Sequence, residues 1–457
     1  MTIATARDAC APRFDVPVFV RALSFDALPA DVVRQGERCL LDLIGVAAGG
    51  SRLPVAAIAN AHAATHMTSR NAEARLLFDG RRASRAGAAF AGATTIDSLD
   101  AHDGHVLTKG HTGAAVLPAL LAALDGGAEC TGTEFLTVLV LGYEIGTRAG
   151  IALHATVPDF HCSGAWNAVA CAAVVGRLLR LDVEHLGEAL GVAEYIGPRG
   201  QILRVCSHPT MLKDGSGWGA HAGVTAALLA QDGFTGSPAL TVELDSVQPL
   251  WSDLGQRWRI REQYFKAYPV CRWAQPAIEA ALALKRAHRF DVADVIRIRI
   301  ESFREAVALG SGCPSPSTDD EAQYSLPYGV AAALVFNRVG AAEVDALAMH
   351  DPRVARVLDA IELSEAADLS RLFPAERWAR LSIGLADGRT LVSEPARARG
   401  NPENPIDDDE LVAKFRALAT PVLGAARTAR IEKLVGSFTT EASALPALVD
   451  ELLSPAS

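Results

Sequence analysis

The chain has 457 residues, 50% of them hydrophobic and 21% charged, which is too apolar for disorder and long enough for a large core. With 43 Lys and Arg against 53 Asp and Glu the net charge is −10, which excludes a broad cationic face for nucleic acid. An anionic small molecule stays open, because a pocket needs only two or three placed cations.

The eight cysteines, Cys10, Cys39, Cys130, Cys162, Cys171, Cys206, Cys271 and Cys313, are scattered without a CxxC pair. They read as reduced, cytosolic thiols and speak against a cubane iron–sulfur dehydratase, which needs convergent thiolates. Residues 1–20 contain Arg7, Asp8, Arg13 and Asp15, so no signal-peptide core is expected and the location expected is cytoplasmic.

In chain order, Ala- and Leu-rich segments predict helices over 31–49, 84–96, 112–126, 134–153, 164–180, 183–194 and 217–232. The stretch 114–124 contains Pro118, and 135–153 carries Glu144 and Arg148, so both read as buried helices and no membrane span is expected. Small residues such as Ala168, Ala170, Ala172 and Ala173 predict closely approaching helix axes. FKAYPVCRW, near residue 265, breaks this pattern, and a helix follows over 276–288. VIRIRIE then alternates over 295–301, with Ile296, Ile298 and Ile300 expected to face a core. Helices are predicted over 325–336, 341–348 and 353–359, and a hairpin over 379–395 turning at Asp387-Gly388. The tail returns to helix at 409–420 and 443–453. The fold class expected is mainly α: a large all-α domain over 1–265, completed by 398–457, with a smaller α+β lid over 266–397.

The densest titratable cluster is DSLDAHDGHVLTKGH, holding Asp97, Asp100, His102, Asp103, His105, Lys109 and His111. It is either a solvated loop or, beside two apolar helices, an acid–base site tuned by burial. His102, Asp103, His105 and His111 also offer metal-type ligands, but their spacing fits no standard motif and no metal is assigned. His161 precedes an apolar helix, as either a structural hydrogen-bonder or a site residue. Lys213 lies among small residues before another helix, as a surface lysine or an anion anchor. Lys266, Tyr268, Cys271 and Arg272 fall at the expected domain junction, where two cations suit a carboxylate ligand, and a linker with solvated charges is the alternative.

The order and spacing of LLDLIGVAAGG, DxxDxH with GHTGAAVLPALLA, GYEIGTR, FHCSGAWNAVA, MLKDGSGWGAHAG, FKAYPVCRW, SLPYGVAAAL and GNPENPIDDDELVAKFRALA resemble the MmgE/PrpD family over nearly the whole chain. The resemblance implies a homodimer with a cofactor-free active site between an all-α domain and a lid. It places the family's site positions on Asp100, Asp103, His111, His161, Lys213 and Tyr328. This chain departs from the family in three places: DAHD where DFDD is common, Gln275 where a histidine is common, and LKD where TKP is common.

The expected function is a cofactor-independent hydro-lyase that removes a proton α to a carboxylate and eliminates water from a 2-methylcitrate-like di- or tricarboxylate. Lys213 and Arg272 would hold carboxylates with help from Lys266. His161 or Asp100 would be the base and His111 or Tyr328 the acid, with Asp103, His105 and Cys271 on the substrate side. An epimerase or a decarboxylase on the same fold, a non-catalytic dimeric scaffold and a metal-dependent hydrolase are the alternatives.

Overall fold

The computed structural model describes residues 14–70 and 73–456. Cys10 and most of the stretch read for a leader lie outside the described residues; the other seven cysteines are free thiols.

The helix Gly132–Thr156 runs through the middle of the molecule. It is long and apolar enough to cross a membrane, yet 94% of its most apolar window is buried inside the protein. The helices Arg85–Asp97, Gly113–Asp125, Gly164–Leu178, Val183–Ile196 and Ser216–Gln231 pack with it into one apolar core. Its two buried charges are used internally: Glu144 lies 3.5 Å from Arg148 and accepts from the Ile260 amide at 2.9 Å. Arg148 binds the Leu250 carbonyl and the Asp253 carboxylate. The 250–260 segment is thereby pinned, and with it the chain that leads into residue 266.

Small residues do bring helix axes together. A Cβ built on Gly223 would stand 2.4 Å from both the Ala168 carbonyl and the Cys171 Cβ, so the helices Gly164–Leu178 and Ser216–Gln231 touch backbone to backbone there.

Beyond residue 290 lies a five-stranded sheet. Val295–Ser302 pairs in parallel with Ile361–Glu365 and antiparallel with Trp378–Leu385, which also pairs with Thr390–Val392 and Ala396–Arg397. The helix Gln275–Ala287 packs on it, and Leu326–Phe336 packs against that helix. The Asp387-Gly388 turn forms, with Gly388 at φ +89°. One expectation fails: Ile298 and Ile300 are buried but Ile296 is 65% exposed. A register shift between Val295 and Arg297 puts Val295 into the core in its place, as a bulge does by adding one residue to one strand. The stretch 341–348 also differs, forming a short turn at Ala341–Val344 and a single helical turn at Ala346–Met349.

The tail helix Asp408–Val435, interrupted at Gly424, lies along Ala30–Gly50. Its Lys414 reaches the Asp42 carboxylate at 2.5 Å and the Ala101 carbonyl at 2.7 Å, so the C-terminal segment buttresses the 100–111 loop.

Gly223→Ala is expected to lower the thermal midpoint by about 2–4 °C, because overpacking at the helix contact outweighs alanine's better helix propensity. Gly187→Ala has open space around its Cβ and is expected to leave the midpoint unchanged or raise it. A melting series on both variants checks the contrast.

Candidate active site

Residues 100–111 cross from the helix Arg85–Asp97 to Gly113–Asp125 and are stitched to the other half of the site by a short antiparallel pair, Gly104↔Tyr264 and His105↔Gln263. This pairing sets Lys266 opposite Asp100: the ammonium lies 2.5 Å from Asp100 Oδ1 and 2.9 Å from its carbonyl, both residues being buried. Burial alone would push the Lys266 pKa down; the Asp100 carboxylate overcomes this and raises it, so the lysine stays charged. Three of the six described non-glycine residues with positive φ fall in this region: Asp100 at 51°, Lys109 at 55° and Lys213 at 47°. Left-handed backbone at side chains of this kind carries strain of about 1–3 kcal/mol each and is concentrated at functional sites.

His111 is held at every polar point. Its amide donates to Ser163 Oγ at 2.9 Å, its carbonyl accepts from Asn167 Nδ2 at 2.9 Å, and Nδ1 lies 2.5 Å from the Asp103 carbonyl. A carbonyl only accepts, so Nδ1 carries the proton and Nε2 presents its lone pair. That lone pair faces Asp214 Oδ2 at 3.6 Å, and the same carboxyl oxygen accepts from Ser163 Oγ at 2.9 Å. Burial and the Lys266 charge keep His111 well below the usual histidine range, hence neutral. Burial and the neighbouring Asp97 and Asp100 raise Asp214 to about 8, hence protonated at neutral pH. A neutral base and a protonated acid thus stand side by side, with their pKa values pushed apart by environment.

Behind them lie His102 and Asp97. The His102 ring centroid is 4.2 Å from that of His111, and its Nε2 is 3.6 Å from Asp97 Oδ1. Asp97 is raised to about 6, by burial first and then by Asp100. Asp100, His102 and His111 bring metal-type ligand atoms within 4.8 Å of one another. The Lys266 ammonium sits on Asp100 Oδ1, while Asp100 Oδ2 and both ring nitrogens of His102 are buried without a hydrogen-bond partner.

Asp100, Lys109, His111, Asp214, Tyr264, Lys266, Cys271, Arg272, Tyr324 and Arg377 surround one cavity of about 30 Å³, closed on its other sides by Ile202, Cys206 and Trp273. That is room for a single water. Arg272 is fixed by Gln275 Oε1 at 2.9 Å, the Arg399 carbonyl at 2.8 Å and Asn401 Oδ1 at 2.6 Å, and lies 4.5 Å from the Tyr264 ring centroid. Burial raises the Cys271 thiol to about 12, which removes it as a nucleophile at neutral pH.

Of the residues singled out from the sequence, Asp100, Lys109, His111, Lys266, Cys271 and Arg272 therefore converge on one cavity. Lys213 stands behind its wall, paired with Asp320 at 2.6 Å and bonded to Gln323 Oε1 at 2.7 Å. His161 does not line the cavity; its Nδ1 lies 3.2 Å from the Arg199 carbonyl and its Nε2 3.3 Å from Asp159. The useful members of the FHCSGAWN segment are Ser163 and Asn167, which grip His111. Tyr328 is also displaced: its hydroxyl donates to the Glu343 carbonyl at 2.5 Å, and the tyrosine at the cavity is Tyr324, the last residue of the preceding short helix Asp319–Tyr324. His105 is tied to Glu262 at 3.0 Å, away from the cavity, and Asp103 spends its carboxylate on the Tyr143 hydroxyl.

Asp214, Tyr264, Tyr324 and Arg377 were not read from the sequence. Asp214 alone carried a signal, an acid next to Lys213 directly before an apolar helix.

The buried acids fix the sign of a pH effect. Asp214, raised from 3.8 to about 8, keeps in the folded state a proton that the unfolded chain has released. Its stabilising share is complete below the unfolded value and is lost as pH rises towards 8. The depressed histidines act in the opposite sense, but only below their ordinary value of 6.5. The thermal midpoint is therefore expected to fall between pH 6.5 and 8.5, and Asp214→Asn is expected to flatten that limb in a melting series across pH.

Comparison with known proteins agrees with this architecture. The MmgE/PrpD N-terminal domain model matches residues 17–248 and the MmgE/PrpD C-terminal domain model matches residues 268–439. The chain is 26% identical to a cis-aconitate decarboxylase-like protein, oryM, of Aspergillus oryzae, over 95% of each chain. It is 24% identical to a cis-aconitate decarboxylase of Aspergillus terreus, over 94% of each. It is 28% identical to a 2-methylcitrate dehydratase of Cupriavidus necator, over 49% of this chain and 50% of that one. With both of its domain models matched in order along the mainly helical fold, the chain belongs to the MmgE/PrpD family.

Proposed function

We propose that the protein is a lyase for a small di- or tricarboxylate, working by proton transfer at the carbon next to a carboxylate, and in the first instance a hydro-lyase. The observation that carries this reading is the juxtaposition of neutral His111 and protonated Asp214, 3.6 Å apart, with buried Lys266 and Arg272 on the same cavity. Elimination needs a base and an acid together, and cations where a carboxylate takes up charge.

In this reading Lys266, anchored by Asp100, holds the carboxylate next to the reacting carbon, and Arg272 holds a further carboxylate of the substrate. His111 Nε2 removes the α proton, and the C–H electron pair passes through the enediolate-like state to become the new C=C bond. The C–O bond at the β carbon breaks with its pair on oxygen, and Asp214 supplies the proton that lets it leave as water. Asp214 is then anionic and His111 cationic, so a proton crossing from His111 back to Asp214 resets the site. Ser163 fixes both groups and keeps that transfer short.

Decarboxylation is the second reading, favoured by the relatives that match over nearly their full lengths and are named as cis-aconitate decarboxylases or as like one. There the C–CO₂ bond breaks, its electron pair enters the conjugated carboxylate system, and Asp214 delivers a proton to carbon.

Incubation with 2-methylcitrate, citrate and cis-aconitate in deuterated water, followed by mass spectrometry, separates the outcomes. Loss of water from a hydroxy acid supports the first reading and loss of CO₂ from cis-aconitate the second. Absence of both products, with no deuterium entering any substrate, sinks the reading. His111→Gln is expected to cut kcat by about 10²–10⁴ while the melting curve stays close to that of the parent protein. Activity is expected to survive exhaustive treatment with a chelator, since acid–base work by these side chains calls for no ion; its loss, restored by a divalent metal, would overturn the mechanism.

A further inference from the structure

The catalytic cavity does not end at Arg272. A second small cavity, about 20 Å³, adjoins it, and Arg272 and Arg377 line both, so the two guanidinium groups form the partition. Arg377 precedes the strand Trp378–Leu385 and reaches across to the 100–111 loop, donating from Nη2 to the Val106 carbonyl at 3.3 Å. It is 9% exposed, its Nε has no partner, and burial lowers its pKa.

Among the described residues, neither arginine has a carboxylate within 4 Å. Arg272 is held by three neutral acceptors, and Arg377 by the Val106 carbonyl with the Tyr264 hydroxyl beside it. The lysines nearby are already neutralised, Lys266 by Asp100 and Lys213 by Asp320. The acids of the second cavity are engaged too: Glu376 accepts from Trp378 Nε1 at 2.7 Å, and Glu403 faces Arg397 at 3.7 Å. A buried guanidinium without a counter-charge is costly, and two that share a wall make a site shaped for an anion. Guanidinium matches carboxylate as a two-pronged donor, so the ligand group fitting this partition is a carboxylate distant from the reacting carbon.

We infer that Arg377 is a specificity-determining residue which, together with Arg272, receives a distal carboxylate and makes the site select tricarboxylates over dicarboxylates. This rests on the lyase reading above and refines its substrate class. Because Arg377 comes from the sheet-bearing half and Val106 from the helical half, a carboxylate bound there also ties the two walls of the cavity together.

The test uses two unreactive probes, propane-1,2,3-tricarboxylate and 2-methylsuccinate, which differ by one terminal carboxylate. Binding is read by titration calorimetry on the full chain. The parent protein is expected to prefer the tricarboxylate by roughly 10–100-fold, the worth of one charge-assisted bidentate contact. In Arg377→Gln the preference is expected to shrink to within about threefold, through weaker tricarboxylate binding alone, and Arg377→Lys is expected to retain part of it. An unchanged preference in Arg377→Gln, or none in the parent, overturns the assignment. If Arg377→Gln does not fold, Arg377→Lys decides, and an undiminished preference there overturns it equally. Turnover is scored separately: discrimination between the probes without turnover of any acid sinks the lyase reading and leaves Arg377 its role. Turnover with an Arg377-independent preference sinks only this inference.

Discussion

The site is organised around the buried pair between Lys266 and Asp100. Both groups are removed from water, and such a pair holds only when its geometry and remaining hydrogen bonds offset the desolvation of two ions. Here the Lys266 ammonium takes both the carboxylate and the carbonyl of Asp100, while Asp100 adopts a left-handed backbone to present them. The pair therefore constrains where the 100–111 loop runs, and that loop carries His111 into place. Removing either partner leaves an uncompensated buried charge, a change that typically costs about 3–5 kcal/mol.

Around this pair, burial sorts the remaining titratable groups by charge state. Crowded acids that cannot all ionise keep protons, which makes Asp214 an acid, whereas imidazoles beside lysines lose theirs, which makes His111 a base. The hydrogen-bond framework converts these states into direction, because the Asp103 carbonyl decides which imidazole nitrogen is free and Ser163 sets the distance to Asp214. The chain's departures from the family pattern cluster here. Gln275 orients Arg272, His102 lies against His111, and Asp214 faces the His111 ring.

Several elements outside the cavity exist to hold it. Glu144 and Arg148 sit inside the most apolar helix because they anchor the 250–260 segment, which delivers Tyr264 and Lys266. Lys414 brings the C-terminal helix onto Ala101, beside the strained loop. These long-range ties explain polar residues that look out of place in an apolar pattern.

The mainly helical class, the change of character near 265, the Asp387-Gly388 hairpin and the crowding of titratable groups over 97–111 were legible in the sequence. Each of these is local: periodicity, turn chemistry and the density of titratable groups are properties of short stretches. The bulge that exposes Ile296, the withdrawal of His161 and Tyr328 and the arrival of Asp214, Tyr324 and Arg377 were decided only by tertiary structure. Side-chain direction and pKa depend on which distant backbone lies opposite, and no spacing along the chain encodes that. Thus the sequence alone determined what kinds of groups meet at the seam, and three-dimensional packing decided which of them face the cavity and which carry the protons.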